Sequence, residues 1–92
     1  MRITVYYTAQ LKAALRTSDE EIEFDADITI ENLLERLVRR HGDDFRQLIF
    51  DDRGGLRSSV LLCRGDEQVA YGEGVLLTEG DSVTLLSAIS GG

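Results

Sequence analysis

The 92-residue sequence has no proline and no tryptophan, one histidine and one cysteine. A single cysteine cannot close an internal disulfide, and no His/Cys spacing of a metal site is present. No apolar run approaches the roughly 20 residues needed to span a bilayer. The N-terminal MRITVYYTAQ enters an alternating pattern directly, without a charged-then-apolar leader. Gly-rich phosphate loops of the Walker or dinucleotide type are missing. Cations are scarce: ten Lys and Arg stand against seventeen Asp and Glu, a formal charge of −7. That balance argues against nucleic acid, which needs a cationic face, and against an anionic membrane surface. These absences predict one small, soluble, cytoplasmic domain that binds no cofactor itself and is not catalytic alone.

Hydrophobic residues make up 42% and charged residues 29%, so a folded core is expected rather than disorder. Residues 2–8 are β-branched and aromatic, and Ile3, Val5 and Tyr7 share one parity, the signature of a half-buried strand. Residues 20–25 alternate again, with Ile22 and Phe24 on one face. Between them, residues 9–19 are too long for a tight hairpin turn and read as a loop or half-turn packing Leu11, Ala14 and Leu15 over the core edge.

The strongest local signal lies over residues 30–41. Ile30, Leu33, Leu34, Leu37 and Val38 follow the spacing of one helical stripe. Thr29 is the expected N-cap, and Glu31 sits in the first turn, where the helix dipole favours negative charge. Arg39, Arg40 and His41 fill the last turn, and Gly42 is placed for the left-handed C′ position. Residues 43–50 read as a second short helical segment burying Phe45, Leu48 and Ile49. Residues 51–55, DDRGG, are a charged turn and the expected flexible loop. Strand character returns at 58–64, with a turn at Gly65-Asp66 and a short extended piece around Gln68–Ala70. The stretch from Gly72 to Gly80 reads as a loop whose Val75, Leu76 and Leu77 cover the core. Residues 82–86 form the final strand, with Val83 and Leu85 inward.

One long amphipathic helix can cover one face of a mixed sheet of four to five strands, giving a two-layer α+β domain. A helix that follows a hairpin-like pair and leads into further strands suggests the β-grasp arrangement, with the first and last strands adjacent at the sheet centre. The expected organisation is a β-grasp domain over residues 1–86 and a flexible tail over 87–92.

The sequence closes on Ser90-Gly91-Gly92. With Gly near 7% of residues, a terminal Gly-Gly arises by chance in about 0.5% of chains. A thin tail without bulky side chains can thread a narrow channel and present its carboxylate to a partner. Such a carboxylate is inert until activated, for example by adenylation, after which it accepts an amine, a thiol or a sulfur donor. Taken alone, a frayed end is the simpler account.

The sixteen residues Leu77 to Gly92, LTEGDSVTLLSAISGG, resemble the C-terminus of the MoaD/ThiS family of ubiquitin-like sulfur carriers. In that family a Gly-Asp turn feeds the last strand, followed by two small or proline residues, an aliphatic, a small residue and Gly-Gly. The N-terminal strand, the Asp27-Ile28-Thr29-Ile30 helix start and the length suit the family as well. Two positions depart from the pattern. Ser87-Ala88 stands where the family often has Pro-Pro or Pro-Ala, which predicts a less rigid tail. Cys63-Arg64-Gly65 stands where many members carry Val-Asn-Gly.

The resemblance implies a mechanism. An adenylating enzyme of the ubiquitin-activating type, using ATP and Mg²⁺, would activate Gly92; a sulfur donor would then convert it to a thiocarboxylate. Gly91 would thread the channel, and Leu86, Ser87, Ala88, Ile89 and Ser90 would touch the partner. The implied acceptor is the large subunit of molybdopterin synthase, which makes this chain the small subunit. A carrier for cysteine or thiamine biosynthesis, and a ubiquitin-like modifier joined to protein lysines, are the alternatives. With Lys12 the only lysine, polymeric chains on itself are not expected.

Other chemistry-bearing residues have plainer expectations. Cys63 lies in an apolar run, where core filling is favoured over a persulfide role. His41 is expected to complement the helix dipole rather than to move protons. Arg36, Arg39 and Arg40 read as a solvated helix face. Glu79 and Asp81 read as a polar turn near the root of the tail, with steering onto a basic partner as the sharper option. Leu86 has outward parity and, if exposed, would anchor a partner beside the tail.

Overall fold

A computed structural model describes residues 1–87; the expectations placed on Ala88, Ile89, Ser90, Gly91 and Gly92 lie outside the described residues. In chain order the elements are β1 (Arg2–Tyr7), α1 (Ala9–Leu15), β2 (Asp19–Glu23), β3 (Ile28–Thr29), α2 (Ile30–His41) and α3 (Asp43–Ile49). Then follow β4 (Val60–Arg64), β5 (Glu67–Val69), β6 (Leu76–Leu77) and β7 (Ser82–Ser87).

Alternation builds the sheet. Ile3, Val5 and Tyr7 of β1, Ile22 of β2, Val60 and Leu62 of β4, and Val83 and Leu85 of β7 are all buried. They meet the α2 stripe of Ile30, Leu33, Leu34, Leu37 and Val38, together with Phe45 and Ile49 of α3. The strand order is β2-β1-β7-β4-β5, with β3 and β6 forming a separate two-stranded ladder. β1 and β7 run parallel at the centre, with Val5 opposite Val83 and Tyr7 opposite Leu85. The other pairings are antiparallel. This is the β-grasp order expected from the sequence, with five strands in the main sheet and three helices among the described residues.

α2 forms where the stripe placed it. Thr29 accepts from the Asn32 backbone N–H through Oγ1 at 3.2 Å, and Asn32 Oδ1 accepts from the Thr29 N–H at 3.3 Å, a reciprocal capping box. Gly42 does take a positive φ of 92°, yet its ψ of −168° lies outside the left-handed helical basin. The chain is turning at once into α3: the Gly42 N–H donates to Val38 O at 2.7 Å, and Gly42 O accepts from Arg46 N at 3.2 Å.

Four local expectations are corrected. Residues 9–15 are helical rather than looped, because AQLKAAL is composed of strong helix formers too few to show a periodic stripe. Leu11 is buried as expected, whereas Ala14 is exposed. Arg16, at φ 59°, ends the helix in the left-handed region. Leu76 does not cover the core: it is 51% exposed, and Leu77 beside it is fully buried. Cys63 does not fill the core either. Because Val60 and Leu62 point inward, Cys63 has the opposite parity and lies half-buried on the outer side of the sheet.

The turns agree with their sequence signals. Gly65-Asp66 closes the β4–β5 hairpin with Gly65 at φ 58°. In the 51–55 segment, Asp51 Oδ1 accepts from Arg53 N at 2.9 Å and Gly55 N at 3.0 Å, so one carboxylate organises the connection.

Candidate functional site: the open sheet face and the end of the last strand

Among the described residues, the helices put their buried side chains, Leu11, the α2 stripe, Phe45 and Ile49, into one core with the inward strand residues, so side chains of the opposite parity form an open face. On β7 these are Ser82, Thr84 and Leu86. Leu86 pairs with Leu61 of β4, and Thr84 lies between Tyr6 of β1 and Cys63 of β4. Tyr6 and Leu61 are each 43% exposed, large apolar surfaces left uncovered beside the end of β7. Leu86 has the expected outward parity and is half-buried between its neighbours. Tyr6 and Leu61 were not singled out by the sequence reading, although the alternation that turns Val5 and Leu62 inward also turns these two outward.

The charge along the β2 edge is mostly acidic, with Arg2 the counter-ion. β2 presents Asp19, Glu21 and Glu23 at the sheet edge, all exposed. Arg2 reaches across to Glu21 at 3.2 Å and Glu23 at 2.8 Å. The hydrogen bond to Arg2, and then its charge, hold the Glu23 carboxyl below its ordinary value. The same hydrogen bond to Glu23 raises the Arg2 guanidinium further. An acidic edge also discourages strand-to-strand association with other chains.

The end of β7 is tied down. Ser87, expected in the tail, belongs to the strand. Its Oγ donates to Thr8 O at 2.9 Å, and its N–H donates to Thr8 Oγ1 at 3.4 Å. Glu79 and Asp81 lie at the other end. The turn they form precedes β7, six residues and roughly 20 Å from Ser87. Asp81 Oδ2 accepts from Thr78 N at 2.9 Å, and Glu79 Oε1 accepts from Arg2 N at 3.1 Å. The polar-turn expectation therefore describes their geometry, and their placement near the tail root is corrected.

On the helix side, His41 lies in the last turn of α2, with Nε2 2.6 Å from Glu20 Oε2. Glu20 also accepts from the Tyr7 hydroxyl and pairs with Arg40 Nε at 3.2 Å. Burial, then the hydrogen bond to Glu20, push the Tyr7 phenol far above its ordinary value. This cluster joins β1, β2 and the end of α2 beneath the open face. Arg36 stacks over Phe24 at 4.6 Å, and Arg39 pairs with Glu35 at 2.8 Å, so the arginine face is partnered within the chain. Among the described residues no group of His, Cys, Asp and Glu could hold a metal ion, and no helix is long and apolar enough to cross a membrane.

Comparison with known proteins agrees with this architecture. SAMP1 from Haloferax volcanii superposes with a TM-score of 0.87 at 25% identity, covering 100% of both chains. The putative molybdopterin converting factor subunit 1 from Pyrococcus furiosus gives 0.76 at 22% identity, over 97% of this chain and 99% of that one. A chain of the Amycolatopsis orientalis BexX/CysO complex gives 0.69 at 22% identity, over 98% and 99%. No curated protein matches the chain in sequence. The ThiS family profile matches residues 5–92, from the first strand through Gly91-Gly92, and on that match the chain belongs to the ThiS family, among the ubiquitin-like sulfur carriers and modifiers.

Proposed function

We propose that this protein carries sulfur on the carboxyl carbon of Gly92 and delivers it as the small subunit of a molybdopterin synthase. The observation that carries the proposal is the family match extending to Gly92, on a chain whose last central strand ends beside an uncovered apolar face. Activation would join the Gly92 carboxylate to the α-phosphate of ATP and release pyrophosphate. Hydrosulfide then attacks the acyl carbon and AMP departs, leaving a thiocarboxylate. The activating enzyme supplies ATP and Mg²⁺; this chain supplies the terminus and the surface that docks.

The open face suits that role. Tyr6, Leu61 and Leu86 offer apolar anchors next to the exit of β7, and the acidic β2 edge favours a partner with basic groups on its rim. The similarity to the Pyrococcus furiosus subunit supports the molybdopterin reading. A second reading, attachment of Gly92 to protein lysines, draws on the similarity to SAMP1, also described as a small archaeal modifier protein.

Reconstitution with alternative acceptors tests the assignment. The thiocarboxylated chain is mixed with a molybdopterin-synthase large subunit and its pterin precursor and, separately, with a cysteine-synthase-like acceptor and its activated serine derivative. Binding and sulfur loss with the first alone support the proposal. Transfer only to the second assigns the chain to cysteine formation, and amide-linked adducts on other proteins assign it to modification.

A further inference from the structure

We propose that Ser87 is a positioning residue: with Thr8 it forms a clasp that fixes the direction in which the chain leaves the sheet. The inference rests on the reading of Gly92 as the reactive terminus and specifies how this chain prepares it.

The clasp arises from a broken ladder. β1 and β7 are parallel, and their regular pairing ends with Thr8 N donating to Leu85 O at 3.3 Å. Continuing that ladder would require the β1 backbone to stay extended. It does not, because Ala9 adopts φ 48° and the chain turns into α1. Two hydroxyls extend the pairing instead. Thr8 Oγ1 donates to Leu85 O and accepts from Ser87 N, both at 3.4 Å. Ser87 Oγ donates to Thr8 O at 2.9 Å and accepts from Leu11 N at 3.3 Å. Each hydroxyl is thus used as donor and as acceptor.

The Leu11 contact ties the clasp to α1. Thr8 occupies the N-cap of that helix but gives it no side-chain cap. Leu11 N–H, a first-turn donor, is shared: it donates to Thr8 O at 3.1 Å and to Ser87 Oγ, 76 residues away in sequence, at 3.3 Å. One side chain therefore joins the central strand, the end of β1 and the first turn of α1.

Position 87 is the first of the two where the family often places proline. A proline ring restricts the backbone directly. Here Ser87 reaches a comparable restriction through hydrogen bonds, so the less rigid root expected from the missing proline is compensated by Thr8. A partner that threads the terminus then has one fewer residue to order on binding.

The test measures carrier-dependent ATP–pyrophosphate exchange by the activating enzyme and amide exchange at Leu11. Wild type, Ser87→Ala, Ser87→Thr and Ser87→Pro are compared. Ser87→Ala is expected to raise KM for the carrier about five-fold with kcat little changed, the effect of losing roughly one hydrogen-bonded restraint. It should also speed exchange of the Leu11 amide about two- to three-fold, because the bond to Thr8 O remains. Ser87→Thr keeps the hydroxyl and should restore both readouts. Ser87→Pro should restore KM while leaving Leu11 fast, a separation that a purely stabilising role cannot produce. An unchanged KM in Ser87→Ala, or a Ser87→Pro protein as impaired as Ser87→Ala, overturns the proposal. So does a Leu11 amide that Ser87→Ala leaves equally protected. A wild-type chain that supports no exchange at all overturns the carrier reading instead, and Leu11 protection still decides whether the clasp exists.

Discussion

Leu61 and Leu86 face each other across β4 and β7 on the side of the sheet that, among the described residues, no helix covers. Leu61 is 43% exposed, and Tyr6, on the same face, is equally so. Apolar side chains so placed add little to the stability of the isolated chain, since much of their surface remains in water. Their consequence appears when a partner covers them. Replacing Leu61 with Asp should weaken binding to the acceptor subunit by about 1.5–3 kcal/mol, ten-fold or more in Kd, with the thermal midpoint nearly unchanged. Calorimetric titration of the variant checks this; wild-type affinity would remove the open face from the docking surface.

The Tyr7 hydroxyl donates to Glu20, and burial keeps its proton in place well above the ordinary phenol range. In the unfolded chain the phenol titrates near 10. Above that pH the folded state binds the extra proton and the unfolded state does not, so stability falls as pH rises. The contribution of Tyr7 is complete below about pH 10 and is lost above it at up to about 1.4 kcal/mol per pH unit. Denaturant unfolding between pH 8 and 11.5 should show this slope in the wild type and a shallower one in Tyr7→Phe.

Leu37 is fully buried at the centre of the α2 stripe, against the inward side chains of the sheet. Leu37→Ala should cost about 2–5 kcal/mol, the range for a truncated core leucine that leaves a cavity. Gly42 tests a different term. Its φ of 92° suits glycine, while a Cβ there would meet nothing within 4 Å. Gly42→Ala should therefore cost on the order of 1–3 kcal/mol through backbone strain alone. Chemical denaturation of both variants measures the difference.

The sequence made the core and the two-layer arrangement legible for physical reasons that its misreadings also obey. Period-two alternation assigned Ile3, Val5, Tyr7, Val83 and Leu85 to the core, and the α2 stripe left one face to be covered. The same alternation, carried through β4, would have turned Cys63 outward; treating residues 60–63 as a uniform apolar run concealed it. α1 escaped because seven residues are too few to show a helical period, although each is a good helix former. The Thr8–Ser87 clasp was not legible, since two hydroxylated residues 79 apart carry no pairing signal until the fold joins them. Glu79 and Asp81 were misplaced because sequence distance to the tail ignored the length of β7.

The central claim concerns Gly92, and intact mass spectrometry tests it most directly. The purified chain is incubated with its activating enzyme, ATP, Mg²⁺ and a sulfide source, and then weighed and fragmented. The account predicts a gain equal to the replacement of one oxygen by sulfur, confined to the peptide ending in Gly92 and absent after deletion of that residue. An unchanged mass at Gly92, together with full sulfur delivery by the chain lacking it, would contradict the account.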